Sequence, residues 1–186
     1  EADGRRLLLP TFYHSTCGGD TVPSGTVFGG STPAPLRGGT GCTYCRESSR
    51  YRWKSPVVLT KAHITAAIRR NGSGVLRTLS NVARIEVAER TGTDGRAKRI
   101  RLVDETGRRV LVRASDWRIW VGASKVPSTW FWIEDHGDRI ALVRGRGFGH
   151  GVGMCQFGAQ FLATHGQTGE QILRYYYPGT ELVRAY

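Results

Sequence analysis

Hydrophobic and polar residues alternate along the middle of the chain, over residues 81–113. The alternation is carried by three runs, VARIEVAER, RIRLVDE and RRVLVRA, and a period of two residues is typical of a strand with one buried face. Turn-forming residues at 105–108 separate the last two runs and predict a hairpin. The middle of the chain is therefore predicted to form an antiparallel meander.

Apolar residues at helical spacing occur on both sides of this region. Thr60 is predicted to cap a helix over residues 61–70, and Ser115 is predicted to cap a second, shorter helix. A third helix is predicted over residues 156–165, and a T-x-x-Q capping box at residues 168–171 predicts the start of a fourth. Helices are thus expected near both flanks of the meander.

The remaining segments read as further strands and as loops. Residues 7–14 predict an edge strand, and residues 130–135 and 139–144 predict a second hairpin. Residues 16–41 are rich in Gly, Pro, Ser and Thr and predict a long irregular loop. The predicted fold class is α+β, with a sheet-rich middle, a few short helices and long glycine-rich loops.

The composition indicates a globular chain. Of its 186 residues 39% are hydrophobic, enough for a buried core in one domain over residues 1–186. No apolar run reaches the length of about 18 residues that a membrane-spanning helix needs. The start, EADGRRLLLP, is too acidic and its apolar part too short for a signal peptide, so any export signal is expected outside this sequence.

The net charge of +12 favours a polyanionic partner. The basic residues are spread along the chain without a dense tract, and no sequence signature of a nucleic-acid-binding fold accompanies them. A polysaccharide that carries carboxylates would suit such a diffuse basic surface equally well. Nucleic-acid binding therefore rests on charge alone, and we expect no nucleic-acid partner.

Two short-spaced pairs of potential metal ligands stand in the first quarter of the chain. They are His14-x-x-Cys17 and Cys42-x-x-Cys45, separated by a glycine-rich loop. A tetrahedral zinc ion needs four nitrogen or sulfur ligands, and two tight turns deliver two each. The pattern favours structural zinc; a disulfide between Cys42 and Cys45, or free thiols beside a core histidine, are the alternatives.

A second candidate lies in the stretch GRGFGHGVGMCQFGA, where His150 stands between two glycines just before a predicted helix. The loop backbone can approach a ligand closely, and Gln156 at the helix start offers both a hydrogen-bond donor and an acceptor to sugar groups. A tight packing turn with a buried histidine explains the same spacing. Similarly, Tyr176 in the YYY run can stack on a sugar ring or belong to the core. Spacing alone leaves these alternatives open.

Several of these motifs resemble the signatures of the SpoIID/LytB family, which includes sporulation stage II protein D and amidase enhancers. The matching segments are GFGHGVGMCQFGA with ILRYYYPGTEL, FYHSTCGGDT, and SSRYRW, and the resemblance spans essentially all 186 residues. It implies an exported protein of the periplasm or cell envelope that acts on peptidoglycan. Lytic transglycosylases, which the family resembles, cleave glycan strands that lack stem peptides, and some members carry zinc.

The resemblance also implies a mechanism with a single carboxylic acid. That acid protonates the glycosidic oxygen, and the C6 hydroxyl of the sugar closes an anhydro ring. The family's catalytic glutamate lies in a segment upstream of the HSTCGG motif, and no glutamate of this sequence matches it. Cleavage is therefore expected only of the intact protein, and the catalytic residue is unassigned. A non-catalytic amidase enhancer or wall-binding module is the alternative.

The resulting assignments can be stated together. The resemblance implies glycan strands of peptidoglycan as the ligand and another cell-wall hydrolase as a second partner. Cys155 stands where serine is frequent in the family, and is either an additional zinc ligand or a small substitute. The predicted glycan-binding residues are His150, Gly151, Gln156 and Tyr176, and the predicted zinc ligands are His14, Cys17, Cys42 and Cys45.

Overall fold

The computed structural model of the chain describes residues 8–92 and 95–183, and within them the predicted α+β class is confirmed. These residues form eight strands and five α-helices. The strands are β1 (Tyr13–His14), β2 (Val57–Thr60), β3 (Val82–Arg90), β4 (Ala97–Asp104), β5 (Arg109–Arg113), β6 (Trp130–Asp135), β7 (Arg139–Arg146) and β8 (Met154–Cys155). The helices are α1 (Ser24–Phe28), α2 (Lys61–Asn71), α3 (Ala114–Gly122), α4 (Gln156–Thr164) and α5 (Gly169–Tyr176).

The strands form three small sheets. The predicted meander is the antiparallel sheet β3-β4-β5, and the predicted second hairpin, β6-β7, is extended by β2 into the antiparallel sheet β2-β7-β6. The third sheet is the parallel pair β1-β8. The edge strand predicted over residues 7–14 is shorter than expected, because only Tyr13–His14 pairs; position 7 lies outside the described residues. The predicted loop over residues 16–41 contains α1 and a 3₁₀ turn at Ala34–Leu36.

Two of the three helix caps predicted from the sequence are present in the structure. Thr60 Oγ1 accepts a hydrogen bond from the backbone N–H of His63 at 3.1 Å, which confirms the predicted cap of α2. The capping box at the start of α5 is also confirmed. The predicted cap by Ser115 is wrong, because α3 already begins at Ala114 and the Ser115 hydroxyl donates to the carbonyl of Val27.

The buried hydrophobic residues form two clusters. The first, here the sheet core, lies between α2, α3 and the sheets β2-β7-β6 and β3-β4-β5. Its residues are Leu59, Ile64, Ala67, Ile68, Leu76, Leu79, Val82, Ile85, Ala97, Ile100, Leu102, Val112, Ala114, Trp117, Val121, Val126, Phe131, Ile140 and Leu142. The second, here the loop core, consists of Cys17, Val22, Val27, Leu36, Cys42, Cys45, Val152, Cys155, Ile172, Tyr176 and Tyr177.

The parallel pair β1-β8 closes the loop core. It places Tyr13 beside Met154 and His14 beside Cys155, and so joins the beginning of the described chain to its last third. The two candidate motifs of the sequence, HSTC and GFGHGVGMC, therefore become neighbours. Within residues 8–92 and 95–183, no helix combines the length and apolar character that crossing a bilayer requires.

Candidate functional site

Three distant segments bring four cysteines together. Cys17 follows β1, Cys42 and Cys45 lie at the ends of a short turn, and Cys155 precedes α4 as its N-cap residue. Their sulfur atoms all lie within 4.8 Å of one another, and all four side chains are buried. All four are free thiols, so Cys42 and Cys45 form no disulfide in this structure.

The donor set suits a closed metal site. Zinc–sulfur bonds of about 2.3 Å in a tetrahedron place the ligand sulfurs about 3.8 Å apart, which is compatible with this cluster. Closed four-thiolate sites are structural, whereas catalytic zinc keeps one position open for water or substrate. The four buried cysteines are therefore able to hold a metal ion whose role would be to stabilise the surrounding loops.

Backbone N–H groups point at the sulfurs, as expected around thiolates. Gly19 N donates to Cys17 Sγ at 3.3 Å, and Cys17 N donates to Cys155 Sγ at 3.3 Å. Hydrogen bonds among the thiols lower the pKa of Cys45 and raise the pKa of Cys17. For both groups the hydrogen bond with Cys155 has the largest effect on the pKa. Backbone donors therefore surround the cluster and favour negative charge on the sulfurs of Cys17 and Cys155.

The structure groups Cys155, and not His14, with the other three cysteines. His14 Nδ1 donates to the carbonyl of Val152 at 3.1 Å, and its Nε2 is buried without a hydrogen-bond partner. Burial, followed by the charge of Arg96, lowers the pKa of His14 to about 3. The residues that the structure brings together as able to hold a metal ion are therefore Cys17, Cys42, Cys45 and Cys155, and the imidazole of His14 is a neutral buried neighbour of that group.

Tyr176 belongs to the surroundings of the cysteine cluster. Its hydroxyl lies 3.1 Å from Cys42 Sγ, and its side chain is only 2% exposed. A side chain so buried has no surface to offer a sugar ring. Of the two interpretations that the sequence left open for Tyr176, the structure supports the core residue.

His150 lies in the glycine-rich loop between β7 and β8, half-buried against an aromatic group. Its ring centroid is 5.3 Å from that of Phe28 and 5.6 Å from that of His14. The backbone N–H of Val152 donates to His150 Nδ1 at 3.0 Å, so in the neutral ring the proton is on Nε2. Burial lowers the pKa of His150, while a hydrogen bond to the backbone of Tyr13 opposes that shift.

Glycine is required beside His150 for a steric reason. Gly151 has φ +85°, and a Cβ at this position would lie 2.7 Å from Nε of Arg96. Gly151 is buried, and its carbonyl accepts from the backbone N–H of Val22. Its contribution is therefore to the loop conformation. Gln156, the first residue of α4, is exposed.

A cavity of about 270 Å³ opens beside His150. Its walls come from α1, α3 and the beginning of β4, so it lies where the loop core meets the sheet core. The cationic side chains in its lining are Arg96, Arg113 and Arg118, and the apolar ones include Val27, Phe28 and Ile119.

Arg96 connects this cavity with the cysteine cluster. Its Nη1 donates to the carbonyl of Gly149 at 3.2 Å, and its Nη2 donates to the carbonyl of Cys17 at 2.7 Å. The side chain is fully buried although it carries a charge. Sequence reasoning did not single out Arg96 or Arg118, because neither stands in a glycine-rich or cysteine motif. The only available signal was their position beside or within elements with a buried face.

Comparison with known proteins gives one family match. The family model described as "Domain of unknown function (DUF8618)" matches residues 42–153, more than half of the chain. This segment includes Cys42, Cys45, Arg96 and His150, and it ends just before β8.

Curated relatives match over parts of their length. Stage II sporulation protein D of Bacillus subtilis (strain 168) is 42% identical over 74 residues, which are 40% of this chain and 20% of that protein. The amidase enhancer of the same organism is 37% identical over 73 residues, 39% of this chain and 10% of that protein. An uncharacterized protein of Brachyspira hyodysenteriae is 28% identical over 176 residues, 95% of this chain and 44% of that protein. The chain thus spans less than half the length of each of these relatives.

Proposed function

The chain belongs to the family described as "Domain of unknown function (DUF8618)" and, through its curated relatives, to the SpoIID family, and on this premise we propose that it binds the glycan strands of peptidoglycan. The relatives' names refer to sporulation and to an amidase, which supports a role in cell-wall remodelling in the cell envelope. The net charge of +12 suits a polymer that carries carboxylates.

One observation carries this proposal: the half-buried ring of His150 stands at the wall of a cavity, on a loop whose backbone is held in place. Gly149 N donates to the carbonyl of Pro127, and Arg96 donates to the carbonyl of Gly149, so the loop is fixed on both sides. Nδ1 of the neutral imidazole already accepts a hydrogen bond, and Nε2 carries the proton. The side chain can therefore offer a ligand its ring face and one N–H donor, but no free basic nitrogen. His150 therefore positions a sugar, and Gln156, exposed at the start of α4, remains a second candidate contact outside the cavity lining.

In the intact protein we propose non-hydrolytic cleavage of glycan strands that lack stem peptides. This chain contributes binding and orientation, and the proton donor of the reaction comes from a segment outside it. The second candidate is a non-catalytic amidase enhancer that holds the glycan for another cell-wall hydrolase. It is favoured by the 37% identity to a protein of that name.

The substitution His150→Ala tests glycan binding. We expect the dissociation constant for purified denuded glycan strands to rise about tenfold, because a buried aromatic contact is worth about 1.4 kcal/mol. The matched control is His136→Ala in the exposed β6-β7 turn, which should leave the affinity unchanged. An unchanged affinity for His150→Ala, with thermal unfolding unaltered, contradicts the assignment.

The two candidate functions differ in their products. The chain and the intact protein are each incubated with denuded glycan, and anhydro-muramyl ends are counted by mass spectrometry. Cleavage by the intact protein supports the transglycosylase, whereas binding without such ends supports the amidase enhancer. A purified amidase is then added, and its turnover on peptidoglycan is compared with and without the chain; the amidase-enhancer function predicts a higher turnover with the chain.

We further propose that the ion held by Cys17, Cys42, Cys45 and Cys155 is a structural Zn²⁺. Four thiolates and burial of the whole cluster support this assignment. Protein purified without chelator should contain one zinc per chain, and thiol titration should find four more reactive thiols after the metal is removed. Zinc well below one per chain together with a two-thiol deficit would instead indicate a disulfide.

A further inference from the structure

The cavity beside His150 has a cationic wall that the proposed function leaves unused. Two arginines in its lining, Arg96 and Arg118, form no ion pair with a carboxylate among the residues that the structure describes. The third, Arg113, is paired with Asp116, whose Oδ2 lies 2.8 Å from Arg113 Nε. The lining therefore carries an excess of two positive charges.

Arg96 retains unused hydrogen-bond donors. Two of its N–H groups donate to carbonyls, one on Nη1 and one on Nη2, whereas the buried Nε has no partner. A guanidinium has five N–H donors, so three are left without a protein acceptor. The negative charges of Cys17, Cys155 and Asp20 stabilise the cation from a distance, but none of these groups accepts a hydrogen bond from Nε, and a buried donor without an acceptor is unfavourable.

Arg118 is held in a fixed orientation by the chain around it. Its Nε donates to the carbonyl of Val126, and its Nη2 donates to the carbonyls of Ala123 and Pro127. No hydrogen bond of this kind involves Nη1 within residues 8–92 and 95–183. The guanidinium plane is thus oriented in advance, and Nη1 remains available to an acceptor.

We propose that this cavity is a binding site for a carboxylate carried by a compact, partly apolar group, with Arg96 and Arg118 as its cationic partners. Guanidinium groups match the planar geometry of a carboxylate, and a prearranged fork loses little entropy on binding. The apolar wall of Val27, Phe28 and Ile119 suits the uncharged part of the ligand. The volume of about 270 Å³ limits that part to about the size of one sugar or one small acid.

Two kinds of ligand can supply such a carboxylate. One is the lactyl carboxylate of N-acetylmuramic acid within a glycan strand, and this assignment rests on the proposed function. The other is a free small carboxylic acid, which requires no glycan. If the first source applies, the cavity distinguishes a free lactyl group from one amidated by a stem peptide, because amidation removes the charge.

The experiment measures binding of small probes to the zinc-loaded chain by nuclear magnetic resonance at pH 7. The probes are N-acetylmuramic acid, the methyl ester of its lactyl carboxyl, N-acetylglucosamine and D-lactate. We expect N-acetylmuramic acid to bind at least about tenfold more tightly than its ester, since one charge-assisted hydrogen bond lost corresponds to about that factor. The amide signals of Ala97 and Thr129, which line the cavity, should shift.

Each outcome separates this inference from the proposed function. Equal affinities for the acid and its ester, or no shift of cavity signals with any carboxylate, overturn the carboxylate site. Binding of denuded glycan with equal affinities for acid and ester leaves the proposed function standing alone. Cavity shifts with D-lactate, in a chain that does not bind glycan strands, leave the carboxylate site standing alone.

Variants locate the charge that is responsible. Arg118→Met should weaken N-acetylmuramic acid about tenfold, and Arg139→Met on the exposed β6-β7 hairpin is the matched control that should not. Because Arg118 also supports nearby loops, Thr26 in the cavity wall offers a second test. Thr26→Glu adds a competing carboxylate and should abolish binding of the acid, whereas the uncharged Thr26→Gln should weaken it much less. Equal effects of the two Thr26 variants contradict the inference.

Discussion

The sheet core and the loop core bury hydrophobic side chains in different ways. In the sheet core, aliphatic and aromatic residues pack between helices and antiparallel strands whose backbones are already fixed by ladder hydrogen bonds. In the loop core, four of the eleven buried residues are cysteines, and the backbone consists of irregular loops, one two-residue strand pair and the short helices α1 and α5. The second region has only a two-residue sheet ladder to join its loops and helices, so we infer that the cysteine cluster joins them instead.

The side chains able to bind a ligand or a metal ion are concentrated in the loop core and at its border. His150, Arg96 and the four cysteines lie there, whereas the interior of the sheet core is built of hydrophobic side chains. An irregular backbone can direct carbonyls, N–H groups and charged side chains toward one point, which a sheet with fixed periodicity does less readily. Such an irregular region needs a cross-link to keep its segments together. Four experiments test this difference between the loop core and the sheet core.

Cys155→Ser should have the largest effect. Structural zinc in small zinc-binding domains contributes on the order of 10 kcal/mol to folding, so under the proposed zinc assignment the loss of one of four ligands should cost about 5 kcal/mol or more. The measurements are zinc content and thermal unfolding. His14→Asn is the matched comparison, because His14 lies outside the four-cysteine group and the variant should keep one zinc per chain. Loss of zinc from His14→Asn would instead restore the ligand set predicted from the sequence.

Ile100→Ala in β4 should destabilise the sheet core without affecting the metal. Ile100 is fully buried, and removing its methyl and methylene groups should lower the free energy of unfolding by about 2–5 kcal/mol. Denaturant unfolding measures this value, and zinc content should stay at one per chain. Leu111→Ala on the exposed side of β5 is the control, with an expected change below about 1 kcal/mol. Zinc loss in Ile100→Ala would show that the two cores are not independent.

Gly158→Ala should destabilise the loop core by overpacking. A Cβ at this position in α4 would lie 2.6 Å from Cys42 Sγ and closer still to the Tyr176 hydroxyl. The expected cost is about 1–3 kcal/mol, together with weaker zinc binding. Gly169→Ala at the start of α5 meets no atom within 4 Å and should be neutral or slightly stabilising. Equal stability of the two variants would contradict the close packing of α4 on the cluster.

Asp104→Asn should have the smallest effect of the four, and that effect should depend on pH. The hydrogen bond from the Thr106 hydroxyl, then those from backbone N–H groups, lower the pKa of Asp104 below its usual value of 3.8. The carboxylate therefore stabilises the fold above that value, and the contribution is lost as the pH falls through the lowered pKa. Unfolding of both proteins at pH 6 and pH 3 measures it. The difference between them should shrink at pH 3, and a constant difference contradicts the assignment.

The sheet core was largely predictable, because its signals are local. Alternation over residues 81–113 and the Thr60 cap each act within a few residues and agree with the packing they lead to. The capping box at 168–171, which begins α5 in the loop core, is an equally local signal. The failed cap at Ser115 shows the limit of local reasoning. Its hydroxyl found a tertiary acceptor on α1, which no helix pattern indicates.

The candidate site was predictable only in part. The motifs around His150 and the CxxC pair lie in segments that the structure brings close together, but the choice between His14 and Cys155 depends on β1-β8 pairing. Register between strands so far apart is not written in either strand alone. Likewise, Tyr176 could be assigned to the core only after α5 had been placed beside Cys42.

The parallel pairing of β1 with β8 affects the order in which the regions of the protein fold. Cys17 and Cys155 are 138 residues apart in the chain, so the loop between them must close before the site exists. Contacts of such long sequence separation form slowly and late, whereas the meander and the hairpin need only near neighbours. We therefore expect the sheets to gain hydrogen-exchange protection first in refolding and the cavity last. The cysteine cluster and the cavity would then form in the last step of folding, after the sheets that support them.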